Sequence, residues 1–198
     1  MQHVLKTAPA AEPVSLAEMR VHLGITQADD TTRDSIITGR IISARQWCEN
    51  YTSIAFITQT WTAYADKFPC RQQTGGYRIR LRLPLQSVTS VKYLDQSGVQ
   101  QTLDPALYFV DTVTGCLMPA YGQGWPSVRV QANSVQVEYV SGYGIASAVP
   151  ESIKDAIRFI VGQWEMFQSS IEGVMRPFTI PNAAKQLLDS YVDMREQF

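Results

Sequence analysis

One segment constrains the fold of this chain more than any other: Val149–Gln168, VPESIKDAIRFIVGQWEMFQ. Pro150 has the position of a first-turn proline, which loses no helical hydrogen bond. Glu151 places a negative charge near the positive end of the helix. Apolar residues then recur at helical spacing, at Ile153, Ile157, Ile160 and Trp164. The segment predicts a long helix that other parts of the chain have to cover.

Three further patterns predict helices near the two ends of the sequence. Ser15 and Glu18 form a capping box ahead of a short apolar run that stops at Gly24. Apolar residues in Arg33–Tyr51 repeat at helical spacing for about five turns. Pro181–Arg195 carries a similar pattern and predicts a last helix.

Between these helices the periodicity changes to that of strands. Tyr77–Leu83, YRIRLRL, alternates arginines with aliphatic residues, as a sheet with one solvated face requires. The polar segment Cys70–Gly76 predicts a hairpin loop. Short alternating segments predict the other strands: Ile57–Tyr64, Ser87–Asp95, Val99–Leu103, Leu107–Asp111, Gly115–Met118 and Ser134–Val140.

The order of helices, strands and helices predicts an α+β fold. We expect residues 15–53 and 144–198 to pack together as a helical body. Residues 54–143 would then be an inserted, mostly antiparallel β-rich domain. Residues 1–14 contain Pro9 and Pro13 and predict a flexible arm.

Composition excludes several classes of protein. A net charge of −1 and a pI near 6.1 give no overall basic surface for nucleic acid. The three cysteines have neither zinc nor redox spacing, so we expect synthesis in a reducing cytoplasm. No run reaches the roughly 18 apolar residues of a membrane span, and the first residues lack the apolar core of a signal peptide. We therefore predict no membrane partner.

Catalytic motifs are absent from the sequence. The two histidines offer no metal-ligand spacing, and neither a GxSxG elbow nor a P-loop occurs. Glu138 lies in an otherwise apolar segment and is a candidate for a buried catalytic acid. Strand alternation alone explains the same residue as a solvent-facing position. We predict that the chain is not an enzyme and has no catalytic, cofactor-binding or metal site.

One local concentration of charge stands out, at Arg78, Arg80 and Arg82. On a strand these three side chains point to one face. They would then contact a phosphate backbone or an acidic partner surface. The competing interpretation is a solvated face that discourages edge-to-edge pairing. Both interpretations remain open at this point.

Three aromatic residues lie in glycine-rich loops: Tyr121, Trp125 and Tyr143. Exposed aromatic side chains of this kind suit the anchors of a protein interface. The competing interpretation is a small core beneath the loops. The sequence favours neither.

Several segments match a known family in order and spacing: Val14–Glu18, Cys48–Thr52, Ile57–Trp61, Leu83–Val91, Tyr139–Gly144, Val149–Lys154, and Pro181 with Leu187, Leu188 and Tyr191. Through them the chain resembles the head–tail connector family of tailed phages. These are adaptor proteins that attach below the portal at the exit of the head. The resemblance extends from about residue 14 to about residue 192.

This resemblance implies a structural virion protein at the head–tail junction, present in the host cytoplasm during assembly. Its subunits would form a ring of roughly a dozen copies and stay monomeric until the portal templates them. The implied partners are the portal protein, the next neck or tail-completion protein, and DNA that passes through without sequence-specific recognition. The family implies no catalytic residue and no cofactor.

A second hypothesis belongs to another class of protein. The β-rich region would be a carbohydrate- or peptide-binding module on a helical scaffold. Tyr121 and Trp125 would form its stacking platform, and a monomer would bind its ligand in an apolar pocket at that loop.

Overall fold

The computed structural model describes residues 1–25, 31, 33–69, 77–168 and 180–193. The predicted hairpin loop Cys70–Gly76 lies outside the described residues. The chain divides into two compact units. Met1–Ala10 and Thr58–Gly142 form the first, called here the β unit, and Ala11–Ile57 and Tyr143–Phe198 form the second, the helical unit. Strands and α-helices are separated between the two units, which confirms the predicted α+β class.

The α-helices are α1 (Leu16–His22), α2 (Asp34–Thr52), α3 (Glu151–Gln168) and α4 (Asn182–Asp189). Short 3-10 helices cover Pro105–Leu107 and Ala146–Ala148. The strands are β1 (Gln2–Thr7), β2 (Gln59–Ala65), β3 (Ile79–Arg80), β4 (Leu85–Leu94), β5 (Gln100–Thr102), β6 (Tyr108–Asp111), β7 (Cys116–Pro119) and β8 (Val135–Ser141).

Helix α3 lies at the centre of the helical unit, as its apolar face requires. It contacts α1, α2 and α4, and Ile153, Ile157 and Ile160 are fully buried. Pro150 precedes the helix and its carbonyl accepts the Ile153 N–H at 3.1 Å. Burial of three isoleucines contributes roughly 1.5–3 kcal/mol for each side chain.

Helix α4 is shorter than the sequence predicts. It ends at Asp189, whereas the apolar pattern extends to Arg195. The Tyr191 N–H turns back to the Leu188 carbonyl at 2.8 Å, and the Asp193 N–H binds the Thr52 carbonyl at 2.9 Å. A contact with the end of α2 therefore replaces the next helical hydrogen bonds.

The β unit consists of two antiparallel sheets. The large sheet has the order β1-β2-β8-β4-β5, and the small sheet has the order β3-β7-β6. Every second residue of β8 is buried, which is the alternation of a sheet with one covered face. The facing sides of the two sheets share one apolar core: Trp61, Ala63, Phe68, Ile79, Leu81, Leu85, Val91, Leu103, Leu117, Val135, Val137 and Tyr139.

The prediction of a flexible arm over residues 1–14 is wrong for Gln2–Thr7. This segment is an edge strand that pairs antiparallel with β2. His3 Nδ1 lies 2.8 Å from the Tyr139 hydroxyl oxygen. His3 pairs with Ala63 in the register of β1 and β2. Backbone pairing with a strand almost 60 residues away orders the segment, and local composition carries no sign of such a partner.

A buried ionic network fixes the first half of the helical unit. The Arg45 guanidinium donates to Glu49 Oε2 at 2.6 Å and to Glu12 Oε2 at 2.7 Å. The other Glu49 oxygen accepts the Phe56 backbone N–H at 2.9 Å. Only 4% of the Arg45 side chain and 6% of the Glu49 side chain are exposed. Each buried charge is therefore satisfied by a fixed partner.

We expect Glu49→Ala to destabilise the helical unit by about 3 kcal/mol, because it removes the acceptor of Phe56 and leaves Arg45 with one carboxylate. Chemical denaturation followed by far-UV circular dichroism measures the change. Lys6→Ala is the control, since it breaks the exposed Lys6–Glu138 pair and should cost less than about 1 kcal/mol. Equal losses for both variants would contradict the structural role of the buried pair.

The predicted capping box at the start of α1 is confirmed. Ser15 Oγ accepts the Glu18 N–H at 3.2 Å, and Glu18 Oε2 accepts the Ser15 N–H at 2.7 Å. The backbone N–H and then the hydroxyl of Ser15 hold the pKa of the Glu18 carboxyl below its ordinary value. A lowered pKa in the folded state stabilises the fold above the unfolded pKa. This contribution disappears as the pH falls through the folded pKa.

Ser15→Ala should cost about 1 kcal/mol at neutral pH and move the pKa of Glu18 partway back towards 4.5. The shift is partial because the backbone N–H of residue 15 remains. NMR titration of the Glu18 carboxyl carbon, with thermal unfolding at neutral and acidic pH, measures both effects. Ser15→Thr keeps the hydroxyl and is the control. A Glu18 pKa that is unchanged in Ser15→Ala would contradict the hydroxyl contact.

Candidate functional site

The small sheet carries Arg80 on the side that faces away from the core. Arg80 pairs with Cys116, and Cys116 pairs with Asp111, so the three side chains share one face. The neighbouring row, Ile79, Leu117 and Val110, belongs to the core. Strand alternation therefore turns Arg80 away from this core, to a side on which Arg80 is half-buried and Cys116 is 4% exposed.

Arg78 lies on the same side as Arg80. It is exposed and stands two residues before Arg80, next to the strand. The Thr114 hydroxyl, backbone N–H groups of Thr114 and Val113, and the charge of Arg78 hold the pKa of the Asp111 carboxyl below its ordinary value. The positive charge of Arg78 therefore acts on Asp111, which shares a face of the sheet with Arg80.

Arg82 does not share this face, which corrects the prediction that all three arginines align. Strand β3 ends at Arg80, and the Leu81 N–H binds the Gly115 carbonyl at 2.8 Å. The Arg82 guanidinium lies over the Trp61 ring, with Cζ 4.5 Å from the ring centroid. A cation–π contact with an aromatic residue of the large sheet therefore removes Arg82 from the row.

Apolar side chains complete the outward side of the small sheet. Phe109 pairs with Met118 and is 58% exposed, and Leu107 is exposed two residues earlier. We call the five residues Arg78, Arg80, Leu107, Phe109 and Met118 the basic face. Strand alternation in this region is visible in the sequence, but the pairing that brings β3, β7 and β6 together is not local. The sequence therefore did not predict the apolar residues of this face, Leu107, Phe109 and Met118.

The three loop aromatics have different environments. Tyr121 is fully exposed, and it follows Ala120, whose N–H binds the Leu107 carbonyl at 3.0 Å. It therefore lies at the Leu107 end of the basic face. Tyr143 is half-buried in the helical unit. Burial, followed by the charge of Tyr191, raises the pKa of its hydroxyl.

Trp125 is half-buried and packs against the apolar core of the β unit, which favours a small core beneath the loop over an exposed anchor at this residue. Its ring stacks on Phe68 with centroids 4.6 Å apart and an interplanar angle of 6°. Its Nε1–H donates to the Tyr77 carbonyl at 2.8 Å. Phe68 thus occupies one face of the indole. This contact weakens the binding-module hypothesis, in which Trp125 and Tyr121 stack on a ligand.

Glu138 occupies the solvated side of the large sheet, as alternation predicts. It forms an ion pair with Lys6 at 2.7 Å, within a shallow groove of about 400 Å³ that Tyr64 and Lys92 also line. Among the described residues, no three potential metal ligands come together. Burial, followed by the charge of Glu49, raises the pKa of the Cys48 thiol to about 12, so this thiol is unreactive.

None of the described helices is long and apolar enough to cross a membrane.

The fold is similar to chains of known virus-like particles. One is a chain in the neck of an empty GTA particle computed with C6 symmetry, with a TM-score of 0.74 and 20% identity over 96% of this chain and 95% of that chain. A second belongs to the virion of a native gene transfer agent (GTA) particle, with a TM-score of 0.71, 18% identity and coverages of 96% and 95%. The likeness is one of fold.

A third similar chain comes from the neck of a native GTA particle computed with C12 symmetry. Its TM-score is 0.68 at 19% identity, and the match covers 96% of this chain and 94% of that chain. No protein-family model and no curated protein matches the sequence.

The different environments of Trp125 and Tyr121 predict different losses of stability. Trp125→Ala removes the stack on Phe68 and the bond to Tyr77, so it should cost about 3 kcal/mol. Tyr121→Ala should change the free energy of unfolding by less than about 0.5 kcal/mol. Chemical denaturation of both variants measures the difference. An unchanged free energy of unfolding in Trp125→Ala would contradict the packing of Trp125 against Phe68.

Proposed function

We propose that this chain is a structural neck protein, a connector that joins the DNA-filled head to the tail of a phage-like particle. The observation that carries the proposal is the fold. This fold matches one chain from each of two neck structures, over nearly the full length of this chain and of each matched chain. A match of this extent includes both units.

In this role the chain assembles as a ring of roughly a dozen subunits below the portal. Support comes from the C6 and C12 symmetry of the necks that contain the similar chains. A ring needs two different surfaces on each subunit, one for each neighbour. The assembled ring contacts the portal on one side and the next neck or tail-completion protein on the other.

DNA passes through the centre of the ring without sequence-specific recognition. The low net charge of −1 is consistent with a channel that DNA has to traverse rather than bind. The chain acts without catalysis, at the head–tail junction of the virion, after synthesis in the host cytoplasm. Its subunits remain monomeric until the portal templates the ring.

Native mass spectrometry across a concentration series, with and without the portal protein, tests ring assembly. We expect a discrete species of roughly a dozen subunits, either alone or on addition of portal. A stable dimer under both conditions would contradict the proposal, because an isologous pair uses up its interface and leaves no surface for a ring.

Removal of the gene from the producing strain tests the place of the protein in the particle. We expect filled heads that lack tails, and tails restored by the gene in trans. Electron microscopy of purified particles measures both outcomes. Particles that keep their tails without this chain would contradict the neck role whatever the oligomeric state.

A further inference from the structure

The two units of the chain carry opposite net charges. The β unit has eight Lys and Arg against five Asp and Glu, and the helical unit has nine against thirteen. Their net charges are therefore +3 and −4, although the whole chain is close to neutral. Such a distribution favours contact between unlike units of neighbouring molecules and disfavours contact between like units.

The positive charge of the β unit is joined to exposed apolar area on the basic face. Arg78 is exposed and directly precedes β3, in the sheet that also carries Phe109 and Met118, and Tyr121 extends the apolar area at one end. An apolar group that is exposed in the single chain gains free energy when a partner covers it.

The helical unit has a surface of the complementary kind. Glu18 on α1 and Glu151 and Asp155 on α3 have 51%, 62% and 46% of their side chains exposed. The cations among them lie deeper, with 17% exposed for Arg158 and 12% for Lys154. The carboxylates therefore dominate the potential that a partner meets.

Apolar residues accompany these carboxylates. Glu151, Asp155 and Phe159 follow one another at intervals of four residues, which is one face of α3. Phe159 is 42% exposed, and Val21 on the adjoining α1 is 80% exposed. The two helices are held together here, since Arg158 lies 3.8 Å from Glu18 and His22 lies against Phe159. We call the five residues Glu18, Val21, Glu151, Asp155 and Phe159 the acidic face.

We propose that the basic face of one molecule binds the acidic face of a second copy of this chain. The inference rests on the proposed neck function and specifies the interface that closes its ring. Because the two faces are different, each subunit in such a contact keeps one unused face, and the pair as a whole keeps one face of each kind for its next neighbours. This is a heterologous interface, which closes into a ring when its rotation allows.

A protein partner explains the basic face better than DNA does. Contact with a phosphate backbone requires cations and hydrogen-bond donors, and it would leave Leu107, Phe109 and Met118 in water. The acidic face of a second copy supplies carboxylates that can pair with the arginines. It also supplies apolar side chains that can cover the exposed apolar area of the basic face. Charge pairs at the rim of such an interface increase the association rate and its dependence on salt.

A pair of charge-reversed variants tests the interface. Arg78→Glu with Arg80→Glu reverses the basic face, and Glu151→Lys with Asp155→Lys reverses the acidic face. Each double variant alone should associate at least about tenfold more weakly than the unmodified chain. An equimolar mixture should associate again, because unmodified and reversed contacts alternate around the ring and both are complementary. Analytical ultracentrifugation at low and high salt, with and without the portal protein, measures the unmodified chain, both double variants and their mixture.

Lys67→Glu is the matched control, since Lys67 is an exposed cation of the same unit outside the basic face. Circular dichroism and thermal unfolding establish that each variant is folded. If a double variant fails to fold, the single changes Arg78→Glu and Asp155→Lys replace it. Because both of these side chains are exposed to solvent, the single variants should fold.

Three results would overturn the interface. In the first, folded double variants associate as strongly as the unmodified chain, or their equimolar mixture fails to regain self-association. In the second, the unmodified chain stays monomeric at near-millimolar concentration even when the portal protein is present. In the third, Arg78→Glu with Arg80→Glu weakens retention of duplex DNA in a gel-shift assay and leaves self-association unchanged. The gene-removal experiment judges the neck role separately, since tail attachment does not depend on which surface closes the ring.

Discussion

The buried pair of Arg45 and Glu49 is the contact on which the helical unit depends. Two charges removed from water destabilise a fold unless each finds a fixed partner. Here the partners are Glu12, ahead of α1, and the Phe56 N–H, after α2. One ionic cluster thereby fixes the segments that lead into α1 and out of α2. The apolar face of α3 can then pack against helices whose ends no longer vary.

The β unit is stabilised differently, by a single apolar core that its two sheets share. Each sheet covers one side of the other, and the opposite sides remain in contact with solvent. On the large sheet that side is polar, as the Lys6–Glu138 pair illustrates. On the small sheet it combines Arg78 and Arg80 with Phe109 and Met118. Exposed aromatic area beside fixed positive charge is unusual for a surface that meets only water.

A chain with a basic β unit and an acidic helical unit is suited to head-to-tail association. Unlike faces attract each other and like faces repel, so the symmetric dimer is disfavoured by the same charges that favour a ring. The proposed interface rests on the proposed neck role, and the charge distribution of the two units supports such an interface.

The sequence by itself determined the local elements. Periodicity of 3.6 residues located α2 and α3, the spacing of Ser15 and Glu18 located the first cap, and alternation located most of the strands, because each signal lies within one element. Only the tertiary structure decided which distant segments meet. Strand β1 exists because β2 pairs with it, Trp125 is half-buried because it stacks on Phe68, and Arg82 leaves its row for Trp61. Contacts between distant residues leave no periodic trace in the sequence.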